Sequence, residues 1–414
     1  MKKRILLVEP DFPIPIKSKN HKNFLPIGLL KIASYLRSKG IEVKLVRGIT
    51  KGITDLDILS FNPQEVWITS LFTYWAKYVK DAVRHYKHVF PNAKIVVGGI
   101  YASFMPDHCK KFTGCDEVKE GVLHEAEKYF PAYDLITNAN PHPIDYQIIH
   151  TSRGCIRNCE FCGVKKIEPN FKPKSSVKEE IKKRKVVFYD NNFLANTHIE
   201  DILRELIDLK KRKKILWCES QSGFDGRVLK ERPYLGELLK KVGFRDPRIA
   251  WDWGYGQFQE IEEQIGILRT GGYNSQDIYV FMLYNWEIPF EEMERKRIKC
   301  WEWKVQIADC RYRPLDQTFD EYNPWKKDQT KEDYHIHTEA GWTDALVKQF
   351  RKNVRRQNIC VRHSFPFFSN VFEKKRVEKE VIRAAKLIKT KEEKIRYLQQ
   401  IQADYWFPDE ITYP

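Results

Sequence analysis

Residues 151–162 read Thr-Ser-Arg-Gly-Cys-Ile-Arg-Asn-Cys-Glu-Phe-Cys, which sets Cys155, Cys159 and Cys162 in a Cys-x3-Cys-x2-Cys run. The run follows an expected strand at Gln147–Thr151, so it forms a loop at that strand's C-terminal end. Three thiolates on one short loop can point at a single metal centre. They are soft ligands, suited to an iron–sulfur cluster or to zinc. Structural zinc takes four protein ligands, and the candidates for the fourth are His150 and Cys218. A cluster held by three cysteines keeps one iron open, and an open position is where chemistry occurs. The other six cysteines, Cys109, Cys115, Cys218, Cys300, Cys310 and Cys360, are scattered. Nine in a chain this long are too few for a disulfide scaffold, so the tight cluster reads as metal binding or catalysis.

On either side of the run, short apolar stretches alternate with helical patterns. Upstream, strands are expected at Arg4–Val8, Ile41–Val46, Glu65–Ser70, Lys94–Val97 and Asp116–Lys119. Helices are expected at Leu25–Ser38, ending at Gly40, and at Ala76–Phe90, closed by Pro91. That alternation implies a doubly wound parallel sheet over residues 1–137. The turn-rich Asn138–Pro143 marks a boundary. Beyond it strands are expected at Gln147–Thr151, Val186–Tyr189, Ile215–Glu219, Arg248–Trp251, Ile278–Leu283 and Val305–Ala308. Those six βα units over residues 145–325 suggest a second parallel sheet, curved into a partial barrel. From 326 to 414 the pattern is helical and polar, with Trp342, Leu346, Phe350 and Val354 making one apolar face and a second helical stretch at Lys374–Gln402.

Composition narrows the class. The chain is 414 residues long, 42% hydrophobic and 31% charged, which is globular rather than disordered. No apolar run approaches the ~20 residues of a membrane span. The apolar Ile5–Val8 stops at Glu9, too short for a signal peptide, so a cytoplasmic protein with no membrane partner is expected. A net charge of +16 favours an acidic partner such as nucleic acid.

The 151–162 stretch, including aromatic Phe161 before the last cysteine, resembles the signature of the radical S-adenosylmethionine (SAM) enzymes. The order of elements resembles the subgroup of that superfamily with an N-terminal cobalamin-binding-like Rossmann domain. The resemblance spans roughly residues 1–325. It implies an α/β fold with that domain, a radical SAM partial (β/α)6 barrel and a helical C-terminal cap. It also implies a 4Fe–4S cluster on Cys155, Cys159 and Cys162 and reductive cleavage of SAM. The radical so made attacks an unidentified small-molecule, peptide or nucleic-acid substrate, and a flavodoxin or ferredoxin serves as reductant. Methyl transfer is a common outcome in the subgroup. A cobalamin-free nucleic-acid modifier, or a non-enzymatic metal-containing module binding nucleic acid, are the rivals.

By position, the resemblance assigns further cofactor contacts. Phe161 lies against the cofactors. Asp190 and Asn191 stand where the family binds the SAM amino group, although the family's glycines are missing and both residues are also good helix caps. Ser220 and Gln221, after the third barrel strand, and Asp252, after the fourth, stand where SAM carboxylate and ribose are held; ordinary strand-end polar residues look the same. Thr69, Ser70, Gly98 and Gly99 match positions approaching cobalamin, or a tight turn. The Asp-x-His-x-x-Gly motif is absent, so cobalamin is left open. The extra N-terminal three-cysteine set of methylthiolating relatives is missing, which disfavours methylthiolation.

Two clusters suggest partners. Asp309–Asp316 leaves the sixth barrel strand with Arg311, Tyr312 and Arg313, an arrangement suited to clamping an anionic substrate group or to a salt-bridge cluster. Residues 345–363 carry Lys348, Arg351, Lys352, Arg355, Arg356 and Arg362 and no acid, a face able to track phosphates or simply to be solvated. Lys182–Lys185 and Lys210–Lys214 read as charge at helix C-termini. Trp286 is well placed near a site. His335 and His337 form a His-x-His without a neighbouring cysteine.

Overall fold

The computed structural model describes residues 2–14, 25–49, 56–137, 144–374 and 378–414. The expected boundary at Asn138–Pro143 lies outside the described residues. The chain packs as two compact units, residues 1–191 with 313–321, and 192–312 with 322–414.

The first unit opens with a parallel five-stranded sheet. Its strands are β1 (Arg4–Glu9), β2 (Glu42–Arg47), β3 (Glu65–Ser70), β4 (Lys94–Gly99) and β5 (Glu117–Lys119), in the order β2-β1-β3-β4-β5. Successive side chains of a strand face opposite ways, so one strand feeds two cores. Leu6 and Val8 pack with Val66, Ile68, Ile95 and Val97 under helix Ala76–Val89. Ile5 and Leu7 pack with Leu29, Ala33 and Leu36 of helix Ile27–Ser38. That helix ends where expected: Lys39 caps it and Gly40 takes φ +76°. Both faces are covered, as a sheet of parallel strands requires.

Next come β6 (Tyr146–Ile149), the short antiparallel pair β7 (Ser152–Arg153) and β8 (Lys172–Pro173), and β9 (Lys185–Phe188), parallel to β6. The cysteine loop lies between β7 and β8. In this first repeat only a one-turn helix, Val164–Ile167, follows the loop. The β7–β8 pair went unforeseen, because two-residue strands leave no periodicity to read.

In the second unit β10 (Trp217–Ser220) is bridged in parallel to Phe244 through Cys218. Strands β11 (Arg248–Ala250), β12 (Tyr279–Tyr284) and β13 (Gln306–Arg311) form a parallel sheet in that order. Helices Phe258–Thr270 and Phe290–Glu302 separate its strands, and Ile199–Lys211 and Leu235–Val242 precede it in the chain. All six expected strands of residues 145–325 are therefore present, shifted by no more than two residues at their starts.

Helix Asp344–His363 follows, N-capped by Thr343, whose hydroxyl accepts the Leu346 N–H. Its apolar face is the expected one, with Trp342, Phe350 and Val354 buried. The second expected helical stretch is two helices, Glu378–Leu387 and Lys391–Gln400, with Thr390 capping the latter. The C-terminal part is not wholly helical. β14 (Phe368–Ser369) and β15 (Tyr405–Trp406) pair antiparallel over a core of Phe365, Phe367, Phe368 and Phe372. A fully buried network fixes the tail of the chain. Arg297 pairs with Glu294 at 2.7 Å, and its guanidinium donates to Gln357 Oε1 (2.8 Å) and to the Pro408 (2.7 Å) and Glu410 (2.6 Å) carbonyls.

Candidate functional site

The cysteine loop is held at both ends by carboxylates, one of them fully buried. At its entrance Asp190, fully buried just past β9, accepts the backbone N–H of Thr151 (2.9 Å) and of Ser152 (2.7 Å) and both hydroxyls, at 2.6 and 2.8 Å. Burial raises the Asp190 pKa, and these four donors oppose the shift. Its oxygens are thus engaged by the loop's own backbone, and sequence reasoning missed this role.

At the loop's base Glu168 accepts the Gly154 N–H (2.6 Å), an Arg153 N–H (3.3 Å) and the Asn191 amide (3.2 Å). Gly154 sits at φ +74°, where a Cβ would collide with the Asn170 carbonyl, so only glycine fits there. Arg153 also pairs with Glu127 at 2.8 Å, and Glu127 in turn pairs with buried Lys31 at 3.5 Å. Burial acts to raise the Glu127 pKa, yet Arg153 and Lys31 hold its carboxyl below the usual value. Gly163, just past Cys162, packs against Phe104, and Lys166 lies 4.4 Å from the same ring. Nothing local in the sequence marks Glu127 or Glu168, since their partners are far along the chain.

The donor chemistry suits an iron–sulfur cluster. Cys155 and Cys159 are half-buried and Cys162 is exposed. The Arg157 N–H lies 3.3 Å from Cys155 Sγ, the kind of contact that tunes cluster thiolates. The Cys162 N–H bonds the Cys159 carbonyl at 3.0 Å, setting both on one turn. Among the described residues, however, no three His, Cys, Asp or Glu side chains are gathered as ligands of one ion, these cysteines included. Phe161 is half-buried beside Cys162. Of the two candidates for a fourth ligand, His150 is buried with Nδ1 lacking a hydrogen bond, and burial holds its pKa well below the usual value. Cys218 is buried in β10, which pushes its thiol pKa up.

At the C-terminal edge of the first sheet, Thr69 is paired with Gly98 and Ser70 with Gly99. The buried Ser70 hydroxyl donates to the Gly98 carbonyl (2.8 Å) and accepts the Ala102 N–H (3.0 Å). Gly99 has φ +98°, and a Cβ there would be driven into the Ser70 backbone. Gly98 is different: a Cβ would lie 3.5 Å from the Lys119 carbonyl, an ordinary contact.

In the second unit, the Ser220 hydroxyl donates to the Gly223 carbonyl (2.9 Å), and the Gln221 amide bonds Glu219 (2.9 Å), which pairs with buried Arg248 at 2.6 Å. Asp252 is half-buried after β11, and burial pushes its pKa up to about 6 against the pull of Lys296 and Arg227. Fully buried Lys296 donates to the carbonyls on either side of Asp252, Trp251 (2.7 Å) and Trp253 (2.8 Å). Arg311, 9% exposed, stacks on Tyr322 at 4.5 Å and Tyr334 at 4.9 Å. In the first unit Arg313 pairs with Asp320 at 2.6 Å and lies 4.5 Å over Tyr74. Both arginines therefore have packing partners within their own unit. Tyr312 instead joins a row of rings with Trp286 and His335.

The basic segments are largely spent on structure. Lys348 pairs with Asp344 at 2.6 Å, Arg351 faces Asp309 at 4.0 Å and Arg356 faces Glu373 at 3.8 Å, so half the expected one-signed helix face has acidic partners. Lys183 donates to the Ile144 carbonyl and Lys210 to that of Leu216. A cavity of about 550 Å³ is lined by Ser275, Trp301, Lys304 and Cys360. It opens at the N-terminal ends of β12 and β13, away from the strand ends where parallel sheets place chemistry. No helix among the described residues is long and apolar enough to cross a membrane.

Comparison with known proteins bears on the first sheet. Residues 18–133 match the B12-binding domain family, as the expected N-terminal domain requires. No curated protein matches the chain. Among solved structures, the apo, selenomethionine-labelled form of OxsB, a cobalamin-dependent S-adenosylmethionine radical enzyme, is similar over 73% of this chain at 15% identity with a TM-score of 0.49. This chain spans about half of that protein, 51%. A novel cobalamin-binding protein from Desulfitobacterium hafniense DCB-2 is similar over 28% of this chain and 52% of its own, at 16% identity and a TM-score of 0.22. With its cysteine signature and its matched N-terminal domain, the chain resembles the cobalamin-binding-like subgroup of radical SAM enzymes.

Proposed function

We propose that the protein is a radical SAM enzyme that carries cobalamin on residues 1–137, cleaves SAM on the barrel of residues 145–325, and transfers a methyl group to a substrate bounded by the cap of residues 326–414. The observation carrying this reading is the cysteine loop. Its entrance is tied down by Asp190 and its base by Glu168, in the same compact unit as the matched B12-binding domain. Cys155, Cys159 and Cys162 would hold a 4Fe–4S cluster. When bound, the cluster supplies one electron for reductive cleavage of SAM, and cobalamin supplies a methyl carrier.

The chain's own residues have defined tasks in this reading. Asp190 and Glu168 fix the two ends of the loop that carries the three cysteines. Phe161 shields the cluster side of the loop. Asp252, kept carboxylate at neutral pH and flanked by carbonyls that Lys296 holds, accepts the ribose hydroxyls of SAM. Ser220 and Gln221, in the same unit as Asp252, line the same cofactor. Thr69, Ser70, Gly98 and Gly99 form the strand-end floor on which the corrin rests. The reductant is a small electron carrier such as a flavodoxin or ferredoxin.

Anaerobic reconstitution with iron and sulfide tests the reading. It is expected to give about four irons per chain and, with reductant and SAM, 5′-deoxyadenosine. Cys155→Ala, Cys159→Ala and Cys162→Ala are each expected to abolish the cleavage. Full cleavage in any one of them overturns the assignment.

A further inference from the structure

Three adjacent parallel strands of the second unit each end in an aromatic residue: Trp253 after β11, Trp286 after β12 and Tyr312 after β13. Their rings form a continuous row. Trp253 and Trp286 lie 5.4 Å apart, Trp286 and Tyr312 6.0 Å, Tyr312 and His335 5.4 Å, and His335 and His337 5.8 Å. The last two rings belong to the His-x-His run, which had no role in the sequence alone.

Each part of the row is anchored from behind by a buried polar group. Lys296 grips the Trp253 carbonyl at 2.8 Å. The Trp342 indole donates to the Trp286 carbonyl at 3.1 Å. Asn285, fully buried at φ +59°, donates its amide to the His335 carbonyl (2.8 Å) and accepts the His337 N–H (3.0 Å), pairing with that segment as a strand would. Asn285 thus delivers the two imidazoles to the C-terminal ends of β12 and β13, where parallel sheets place ligands. Trp253 is 41% exposed and Tyr312 and His337 are half-buried, so ring surface is open to solvent at this edge.

A row of rings accepts either a planar ring or a cation. The surroundings decide between them. Buried Lys296, 2.8 Å from the Trp253 carbonyl, and Arg311, next to Tyr312, set positive charge beside the row. Burial first, and then His337, Lys331 and Arg311, lower the affinity of His335 for a proton, with Glu339 opposing. A cationic guest meets the same burial and the same positive neighbours. We propose that Trp253, Tyr312 and His337, backed by Trp286 and His335, form a platform that binds an uncharged planar heteroaromatic ring of the substrate. His335 Nε2 is buried without a hydrogen bond among the described residues, so His335 serves the platform as a ring behind Tyr312. This assignment names the substrate class of the strand-end site proposed above and rests on that reading.

The experiment is calorimetric binding of indole to the full chain, in the presence and absence of saturating SAM. Indole is expected to bind with and without SAM. Tyr312→Ala and Trp253→Ala are expected to weaken it about five-fold or more, the loss of one stacked ring face, while Tyr312→Phe retains it. Tetramethylammonium is expected not to bind. Displacement of indole by SAM would overturn the proposal, because the rings would then serve the adenine of SAM. Tighter binding of tetramethylammonium than of indole would overturn it as well, as would unchanged binding in Tyr312→Ala. Variants are compared only after their thermal midpoints are matched to wild type, and Tyr312→Phe keeps the test open if the alanine variant does not fold. Indole binding that depends on Tyr312 in a protein that never cleaves SAM would uphold the platform and remove the radical reading. SAM cleavage without indole binding would do the reverse.

Discussion

The Asp190 carboxylate accepts both the backbone N–H and the hydroxyl of Thr151, at 2.9 and 2.6 Å, across thirty-nine residues of chain. Thr151 stands four residues before Cys155, so the geometry of the cysteine loop is set by a carboxylate just past the end of β9. Asp190→Ala strands two buried N–H groups at about 1–3 kcal/mol each. It is expected to destabilise the protein by about 2–5 kcal/mol in chemical denaturation and to lower iron retained after reconstitution. Wild-type iron content in a folded Asp190→Ala protein would show that the loop needs no such tether.

The two neighbouring glycines of β4 should behave differently. Gly99→Ala forces a side chain into the Ser70 backbone at positive φ and is expected to leave little folded protein. Gly98→Ala meets only an ordinary contact and is expected to fold within ~1 kcal/mol of wild type. Gel filtration with hydroxocobalamin then isolates the binding role. Wild type is expected to retain the corrin and Gly98→Ala to lose it. Equal retention removes Gly98 from the corrin floor.

Asp252 carries a cost that pH reveals. Its folded pKa, raised to about 6 by burial, lies above the ordinary 3.8. Between those values the folded state holds more protons than the unfolded one, so stability falls as pH rises through that window. Asp252→Asn is therefore expected to stabilise the protein at pH 7 by about 1–2 kcal/mol, after discounting for solvent screening. The gain should vanish by pH 4. Production of 5′-deoxyadenosine should fall in the same variant. Urea titrations at the two pH values check the first part, and a pH-independent difference would refute it.

Arg297 is expected to be the most sensitive residue of the C-terminal part. Arg297→Met leaves Glu294 charged and buried and releases the Pro408 and Glu410 carbonyls, a loss of about 3–5 kcal/mol. Adding Glu294→Leu should recover much of it, since replacing both members of a buried pair by apolar groups is often near neutral. Thermal midpoints of the single and double variants decide.

Strand positions were legible because apolar runs bounded by turns are written locally. Glu65–Ser70 was located to the residue, and each barrel strand to within a few. The cysteine run was legible for the same reason. Partners of polar side chains were not. Asp190 reads as a cofactor contact or a helix cap, yet its partners are Thr151 and Ser152. Arg313 reads as an anion clamp or as part of a salt-bridge cluster, and its partners Asp320 and Tyr74 could not be named from spacing. The His-x-His run gains a place only through Asn285, fifty residues upstream of the carbonyl it bonds. Such pairings are decided by which elements the fold sets side by side, and spacing along the chain does not encode them.

The ion-pair chain Lys31–Glu127–Arg153–Glu168 bears on how this protein can have changed over time. Its first two members lie before the boundary expected from sequence at 138–143 and its last two after it. A recombination breakpoint at that boundary would deliver a cysteine loop whose Arg153 has lost Glu127. The N-terminal domain and the loop are thus coupled through one chain of charges. A homologous domain exchanged into this chain would have to bring a matching lysine and glutamate with it.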